Sequence, residues 1–128
     1  MESAAALQMC RAAAAAAPNE ACGLLFGRAD SIIREASVAA NVAADRRRRF
    51  EIDPAHLFEA HRRHRAGPDR LIGCWHSHPN ADGTPSRHDR AGVSDMGWLW
   101  LIVASGKIHA WKPTADGFEP VALFVGSL

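Results

Sequence analysis

The chain has 128 residues, of which 48% are hydrophobic, and this suits one globular domain with a real core. Its formal net charge of +1 gives no electrostatic reason to expect nucleic acid or an anionic membrane as a partner. The 3 cysteines form no C-x-x-C pair, and there is no signal peptide or long apolar run. We therefore expect a single cytoplasmic domain, residues 1–128, with reduced thiols.

The N-terminal part predicts a helix followed by a hairpin. Residues 1–17 are rich in alanine and end at Pro18, which favours a helix that stops there. Residues 22–27 form a short apolar run typical of a strand, Asp30 and Ser31 supply a turn, and residues 32–41 predict the partner strand. Glu20 then lies at the entrance to the first strand.

A polar connection leads to a second helix. Four consecutive arginines, residues 46–49, precede a short predicted strand at residues 50–52. Such charge runs more often form a solvated loop than a binding site, and the alternative is that they hold an acidic face of a protein substrate. An N-cap aspartate and a first-turn proline predict a helix through residue 66. Its expected core contacts are Leu57, Phe58 and Ala60.

The next apolar run predicts a buried strand that ends in two histidines. Residues two apart on a strand point to the same side, so His76 and His78 project together while Ser77 faces away. Two imidazoles side by side are a natural start for a zinc site. Cys74 faces the same way as His76. We favour a small buried side chain there, and the alternative is an extra zinc ligand in an inhibited form.

A loop rich in proline and glycine then leads to a predicted short helix over residues 86–95. Asp89 falls in its first turn, where the carboxylate could return to the same metal. Ser86-x-x-Asp89 is also close to a capping box, which needs no metal. Three ligands, His76, His78 and Asp89, would leave the fourth tetrahedral position open for water, as expected of catalytic rather than structural zinc.

Three strands are predicted to complete the domain. Residues 98–105 are strongly apolar, residues 108–112 pair with them across Gly106-Lys107, and residues 118–125 follow an Asp-Gly turn. The order of helices and strands favours a mixed α/β or α+β layer architecture.

Together these motifs resemble a known family. His76-Ser77-His78-Pro79, followed by Ser86 and Asp89, is similar to the signature of the JAMM (MPN-plus) zinc metallopeptidases. Residues 18–27 resemble the strand that carries the catalytic Glu of that family. The similarity extends over nearly the whole chain. Because the chain has no room for long insertions, it is most similar to the free-standing prokaryotic branch.

The resemblance implies a fold and a set of roles. The fold would be the MPN/JAMM fold, a curved mixed sheet flanked by helices, similar to cytidine deaminases. His76, His78 and Asp89 would hold Zn²⁺. Glu20 would act as general base, and Ser86 would donate a hydrogen bond to the oxyanion.

The resemblance also implies a substrate. Members of the family cleave the peptide or isopeptide bond after the C-terminal Gly of ubiquitin and ubiquitin-like proteins. The expected partner is therefore a ubiquitin-like or sulfur-carrier protein whose Gly-Gly tail lies along a strand edge. The leaving group (cysteine, lysine or a peptide) and the oligomeric state are left open.

Three other functions differ from this interpretation. A non-catalytic MPN scaffold would have no need of the intact set of Glu, two His, Ser and Asp. A peptidase acting on cell-wall or phage-tail peptides remains open. A cytidine-deaminase-like hydrolase needs H-x-E and P-C-x-x-C, which are both absent.

Overall fold

A computed structural model describes residues 1–28 and 32–126. The elements in chain order are α1 (Ser3–Ala16), β1 (Cys22–Gly27), β2 (Ile33–Ala36), α2 (Pro54–Ala66), β3 (Arg70–Ser77), α3 (Arg87–Ala91), β4 (Leu99–Ala104), β5 (Lys107–Thr114) and β6 (Gly117–Val121). The turn predicted at Asp30 and Ser31 lies outside the described residues. Within them, no helix has the length and apolar character needed to cross a membrane.

The strands form one mixed sheet in the order β2-β1-β3-β4-β5-β6. β3 and β4 are parallel, and every other neighbouring pair is antiparallel. Parallel neighbours need a crossover, so the chain leaves the end of β3, passes through α3 and returns to the start of β4. The predicted mixed α/β architecture, a sheet flanked by helices, is confirmed.

One helix packs against each face of the central part of the sheet. On one face, Met9 of α1 packs in a cluster with Trp75 and Leu101. On the other face, Ala60 of α2 packs in a cluster that includes Trp100. Burying each large side chain contributes about 1.5–3 kcal/mol. The loops that follow β3 are therefore attached to a well-packed strand.

Some local predictions are wrong. Phe58 was expected in the core but is 65% exposed, because it lies roughly 200° around the helix from Ala60. Residues 50–52 form no regular strand, since Ile52 makes only an isolated bridge with Asn41. The helix predicted over residues 86–95 ends at Ala91, and the last strand ends at Val121 rather than at residue 125.

Candidate active site

The candidate site lies where the start of β1 meets the end of β3. These strands are antiparallel, with Cys22 opposite His76, so the residue two before Cys22 comes close to the residue two after His76. Glu20 and His78 occupy those positions. One ligand atom from each of Glu20, His76 and His78 lies within 4.8 Å of the others, and all three residues are buried. The sheet register thus unites residues far apart in sequence.

The Asp89 carboxylate closes this cluster. Its Oδ1 lies 3.0 Å from Nε2 of His76, and its Oδ2 lies 3.2 Å from Nε2 of His78. The two Nε2 atoms are 3.0 Å apart. Asp89 is only 3% exposed. The three side chains that the sequence suggests as ligands are therefore in contact with one another in the protein interior.

A cation fits this arrangement. Nδ1 of His78 lies 2.6 Å from the carbonyl oxygen of Asp82. That oxygen can only accept a hydrogen bond, so Nδ1 carries the hydrogen. The neutral ring then turns the Nε2 lone pair towards the Asp89 carboxylate, and the lone pairs repel unless a proton or a metal ion lies between them. A backbone carbonyl bound to the far nitrogen is the usual support of a metal-binding histidine.

Burial and hydrogen bonding shift the titration of the cluster. Burial lowers the pKa of His76. Burial also acts to lower the pKa of His78, but hydrogen bonds to Asp89 and to the Asp82 carbonyl raise it above its ordinary value. Burial opposes the charge on Asp89, yet hydrogen bonds to both histidines hold its pKa well below the usual range. Protons and metal ions therefore compete for the same nitrogen and oxygen atoms.

Glu20 differs from Asp89 because one of its buried carboxyl oxygens makes no hydrogen bond within the described part of the chain. Its Oε1 atom has no hydrogen-bond partner among the described residues. Burial raises its pKa to about 8, an effect that the nearby His78 partly offsets. Without a metal ion, burial therefore favours the protonated form of Glu20 near neutral pH.

Ser86 joins the cluster to the start of α3. Its backbone N–H donates to Oδ2 of Asp89 at 2.9 Å, and its Oγ accepts from the backbone N–H of Asp89 at 3.1 Å. Both halves of a capping box are present. The cap is compatible with a second role, because accepting this bond leaves the hydroxyl hydrogen of Ser86 free to donate.

Three residues that hold Glu20 and His76 in place were not predicted from the sequence. Asn41 Nδ2 donates to the Glu20 carbonyl at 2.9 Å. Ser77 Oγ accepts from the amide of the residue after Glu20 at 2.8 Å. The Phe50 ring stacks on His76 with the centroids 4.3 Å apart. Only Ser77 carried a signal, since a polar side chain on the inner face of a buried strand requires a partner.

Two cavities reach the His78 or Asp89 end of the cluster and share no lining residue, and a third, a hollow beside α1, is also lined by Glu20. The first, of about 360 Å³, is mostly apolar and reaches Asp89, with Cys74, Trp98 and Trp100 in its lining. The second, of about 460 Å³, contains Glu20, His78 and Ser86 together with two of the arginines. The cluster is thus approached by one apolar and one cationic cavity.

Cys74 is buried, as favoured from the sequence, with 2% of its surface exposed. Burial raises the pKa of its thiol, and the negative charge of Asp89 acts in the same direction. A protonated thiol is a poor metal ligand. Among the described residues, the group of possible metal ligands contains no cysteine.

Comparison with known proteins identifies the family. Residues 2–114 match the family described as prokaryotic homologs of the JAB domain. The chain belongs to this family. It is 34% identical to the desampylase of Haloferax volcanii over 84% of this chain and 79% of that protein.

Solved structures of similar proteins agree with the JAB assignment. A protein from Desulfitobacterium hafniense superposes with a TM-score of 0.85 at 25% identity, over 98% of this chain and 92% of that one. A JAB1/MPN domain protein from Archaeoglobus fulgidus superposes with a TM-score of 0.68 at 20% identity, over 98% and 97%. The predicted family and fold are confirmed, and the buried cluster of Glu20, His76 and His78 fits a metal site.

Proposed function

We propose that this JAB-domain protein is a zinc metallopeptidase that hydrolyses the peptide or isopeptide bond after the C-terminal Gly of a ubiquitin-like or sulfur-carrier protein. We assign this activity to one catalytic domain, residues 1–128. The main support for this proposal is the buried contact of two imidazole nitrogens with the Asp89 carboxylate. Beside it lies Glu20, whose Oε1 atom has no hydrogen-bond partner among the described residues. The name of the desampylase relative supports a ubiquitin-like substrate.

In this proposal His76, His78 and Asp89 would hold the zinc ion. Two nitrogens and one carboxylate oxygen make up a typical protein ligand set for catalytic zinc, which keeps one position for water or substrate. When bound, zinc supplies a water molecule of lowered pKa and polarises the substrate carbonyl. The Asp82 carbonyl orients His78, and the Phe50 ring packs against His76.

Glu20 is the proposed general base. It takes a proton from the attacking water and returns it to the leaving amine. Its carboxyl is buried beside His78, and burial raises its pKa, so it binds a proton more strongly than an exposed glutamate does. Proton transfer by a positioned side chain contributes about 10²–10⁴-fold to the rate.

Ser86 is the proposed oxyanion donor. Its hydroxyl oxygen is fixed by the Asp89 amide at 3.1 Å, and its hydrogen is free for the developing negative charge on the substrate. Removing one such donor typically costs roughly 10²–10³-fold in turnover. We therefore expect Ser86→Ala to lower turnover far more than it lowers zinc affinity.

Incubation of the zinc-loaded protein with C-terminally extended ubiquitin-like carriers, followed by intact mass measurement, tests the activity. Glu20→Gln should keep zinc and substrate affinity yet lose most turnover, whereas Glu119→Gln, on the exposed side of β6, should behave as wild type. If Glu20→Gln retains turnover, the base lies elsewhere.

The carrier tail provides a second test. In this proposal the tail would pair through its backbone, and the space beside the metal would admit only glycine. Replacing the penultimate Gly of the carrier by Val should block cleavage, because a β-branched side chain cannot follow a glycine-only backbone. If the tail glycines are dispensable and unrelated peptides are cut well, a general peptidase replaces the carrier hypothesis.

A further inference from the structure

The cationic cavity carries positive charge that the proposed hydrolysis leaves unused. Arg47 and Arg48 line it together with Glu20 and Ser86. No ion pair among residues 1–28 and 32–126 involves Arg47. The contact of Arg48 with Asp45 is 3.8 Å long between side chains that are 80% and 44% exposed, and such a contact contributes little. Two guanidinium groups are therefore free to bind an anion.

The turn that carries these arginines is linked by hydrogen bonds to both the N–H and the carbonyl group of Glu20. The Glu20 N–H donates to the carbonyl of Arg46 at 2.7 Å. Asn41 Nδ2 donates to the carbonyls of Glu20 and Arg49 at 2.9 and 3.1 Å. Asn41 Oδ1 accepts from two further backbone amides. These bonds fix the distance between the arginine turn and the base, which a merely solvated loop does not require.

The identity of the base indicates which part of the substrate enters this cavity. Glu20 returns its proton to the leaving amine, so the leaving group must lie beside Glu20. Glu20 lines two cavities, and the one that also contains His78 and Ser86 contains the two arginines, whereas the hollow beside α1 contains neither His78 nor Ser86. The apolar cavity beside Asp89 contains neither Glu20 nor the two arginines. The arginines are thus placed next to the leaving group.

We propose that Arg47 and Arg48 bind the free carboxylate of the leaving group, so that the substrate is a carrier extended at its C-terminus by one amino acid or a short peptide. This inference rests on the proposed hydrolysis. Guanidinium groups bind carboxylates through charge-assisted, often bidentate hydrogen bonds. A lysine side chain within a folded protein offers no free carboxylate near the scissile bond.

The reaction balances without a further reactant. The oxygen of water joins the carbonyl carbon of the terminal Gly, and the carbon–nitrogen bond breaks. The leaving nitrogen takes the proton that Glu20 carried. The products are the carrier carboxylate and a free amino acid or peptide, whose own carboxylate stays on the arginines until release.

Two forms of one substrate test the proposal. A carrier extended by a single alanine is prepared with a free carboxylate or with a carboxamide, and kcat/KM is measured for both. The wild type should prefer the carboxylate by about tenfold to a hundredfold, the usual effect of a hydrogen-bonded charge. The double variant Arg47→Ala, Arg48→Ala should cut both forms equally. Arg46→Ala, on the same turn but lining the hollow that contains neither His78 nor Ser86, should keep the preference.

Two outcomes would overturn the inference. The wild type could show no preference between the two forms, or the double variant could keep the wild-type preference. If the double variant keeps the preference while its activity falls equally on both forms, the arginines contact the body of the carrier instead.

A binding measurement separates this inference from the proposed hydrolysis. Zinc-loaded Glu20→Gln protein is titrated calorimetrically with acetyl-Gly-Gly-Ala, once as the free acid and once as the amide. The same titrations are repeated with a variant that also carries Arg47→Ala and Arg48→Ala. If the arginines confer tighter binding of the acid while the wild type cuts no carrier, the carboxylate site stands and the hydrolysis fails. If carriers are cut but the arginines do not distinguish the two peptides, the carboxylate site fails alone.

Discussion

Replacing Glu20 by Gln should stabilise the metal-free protein, and increasingly so as the pH rises. Glu20 is 5% exposed, and burial raises its pKa from 4.5 to about 8. Between these values the folded protein holds a proton that the unfolded chain has released, so the stability of the wild type falls with rising pH. Glutamine does not titrate and escapes this loss.

The size of the effect follows from the pKa. The gap in free energy of unfolding between variant and wild type should widen by about 1.4 kcal/mol per pH unit, which is on the order of 3 kcal/mol between about pH 5.5 and 8. Denaturant unfolding of the chelator-treated proteins measures it. The exposed Glu119→Gln serves as control and should show a constant difference. A gap for Glu20→Gln that stays constant or narrows as the pH rises would refute the argument from burial.

Further substitutions test the support of the site. Phe50→Leu removes the ring stacked 4.3 Å from His76 and should cost about 1 kcal/mol in urea unfolding; no loss would mean that the stack is incidental. A Cβ on Gly83 would clash with the His109 ring, so Gly83→Ala should shift the loop between His78 and Ser86 and weaken zinc binding in chelator competition; unchanged affinity would contradict this. Asn41→Ala leaves the backbone carbonyls of Glu20 and Arg49 without its hydrogen bonds and should cost about 1–3 kcal/mol in the same unfolding assay. A neutral result would show that other contacts hold the arginine-bearing turn in place.

Local signals were enough for several elements. The apolar run from Cys22 predicted β1 with the bounds observed, and Asp53 caps α2 as expected, accepting from the Ala55 amide at 3.2 Å. The β4–β5 turn was misplaced by one residue. Its positive φ angles fall on Ser105 and Gly106, at 51° and 73°, as a two-residue hairpin turn requires.

The proximity of His76, His78 and Asp89 was also predictable, since it depends on short-range rules. Residues two apart on a strand share a face, and a capping box aims the carboxylate at N3 back towards the helix start. What the sequence could not show is the long-range support. The bonds of Asn41 and Ser77 near Glu20 span 21 and 56 residues. The local pattern indicated that Ser77 needs a partner but not which one, and it gave no sign of the Asn41 bonds.

Zinc content of two single variants tests the central claim most directly. The close approach of Glu20 to His76 and His78 also permits a ligand set in which Glu20 replaces Asp89. Elemental analysis of the purified proteins should find about one zinc per chain in wild type and in Glu20→Gln, and little in Asp89→Asn. Zinc retained by Asp89→Asn and lost from Glu20→Gln would contradict the account, because Glu20 would then be a ligand and could not be the free base.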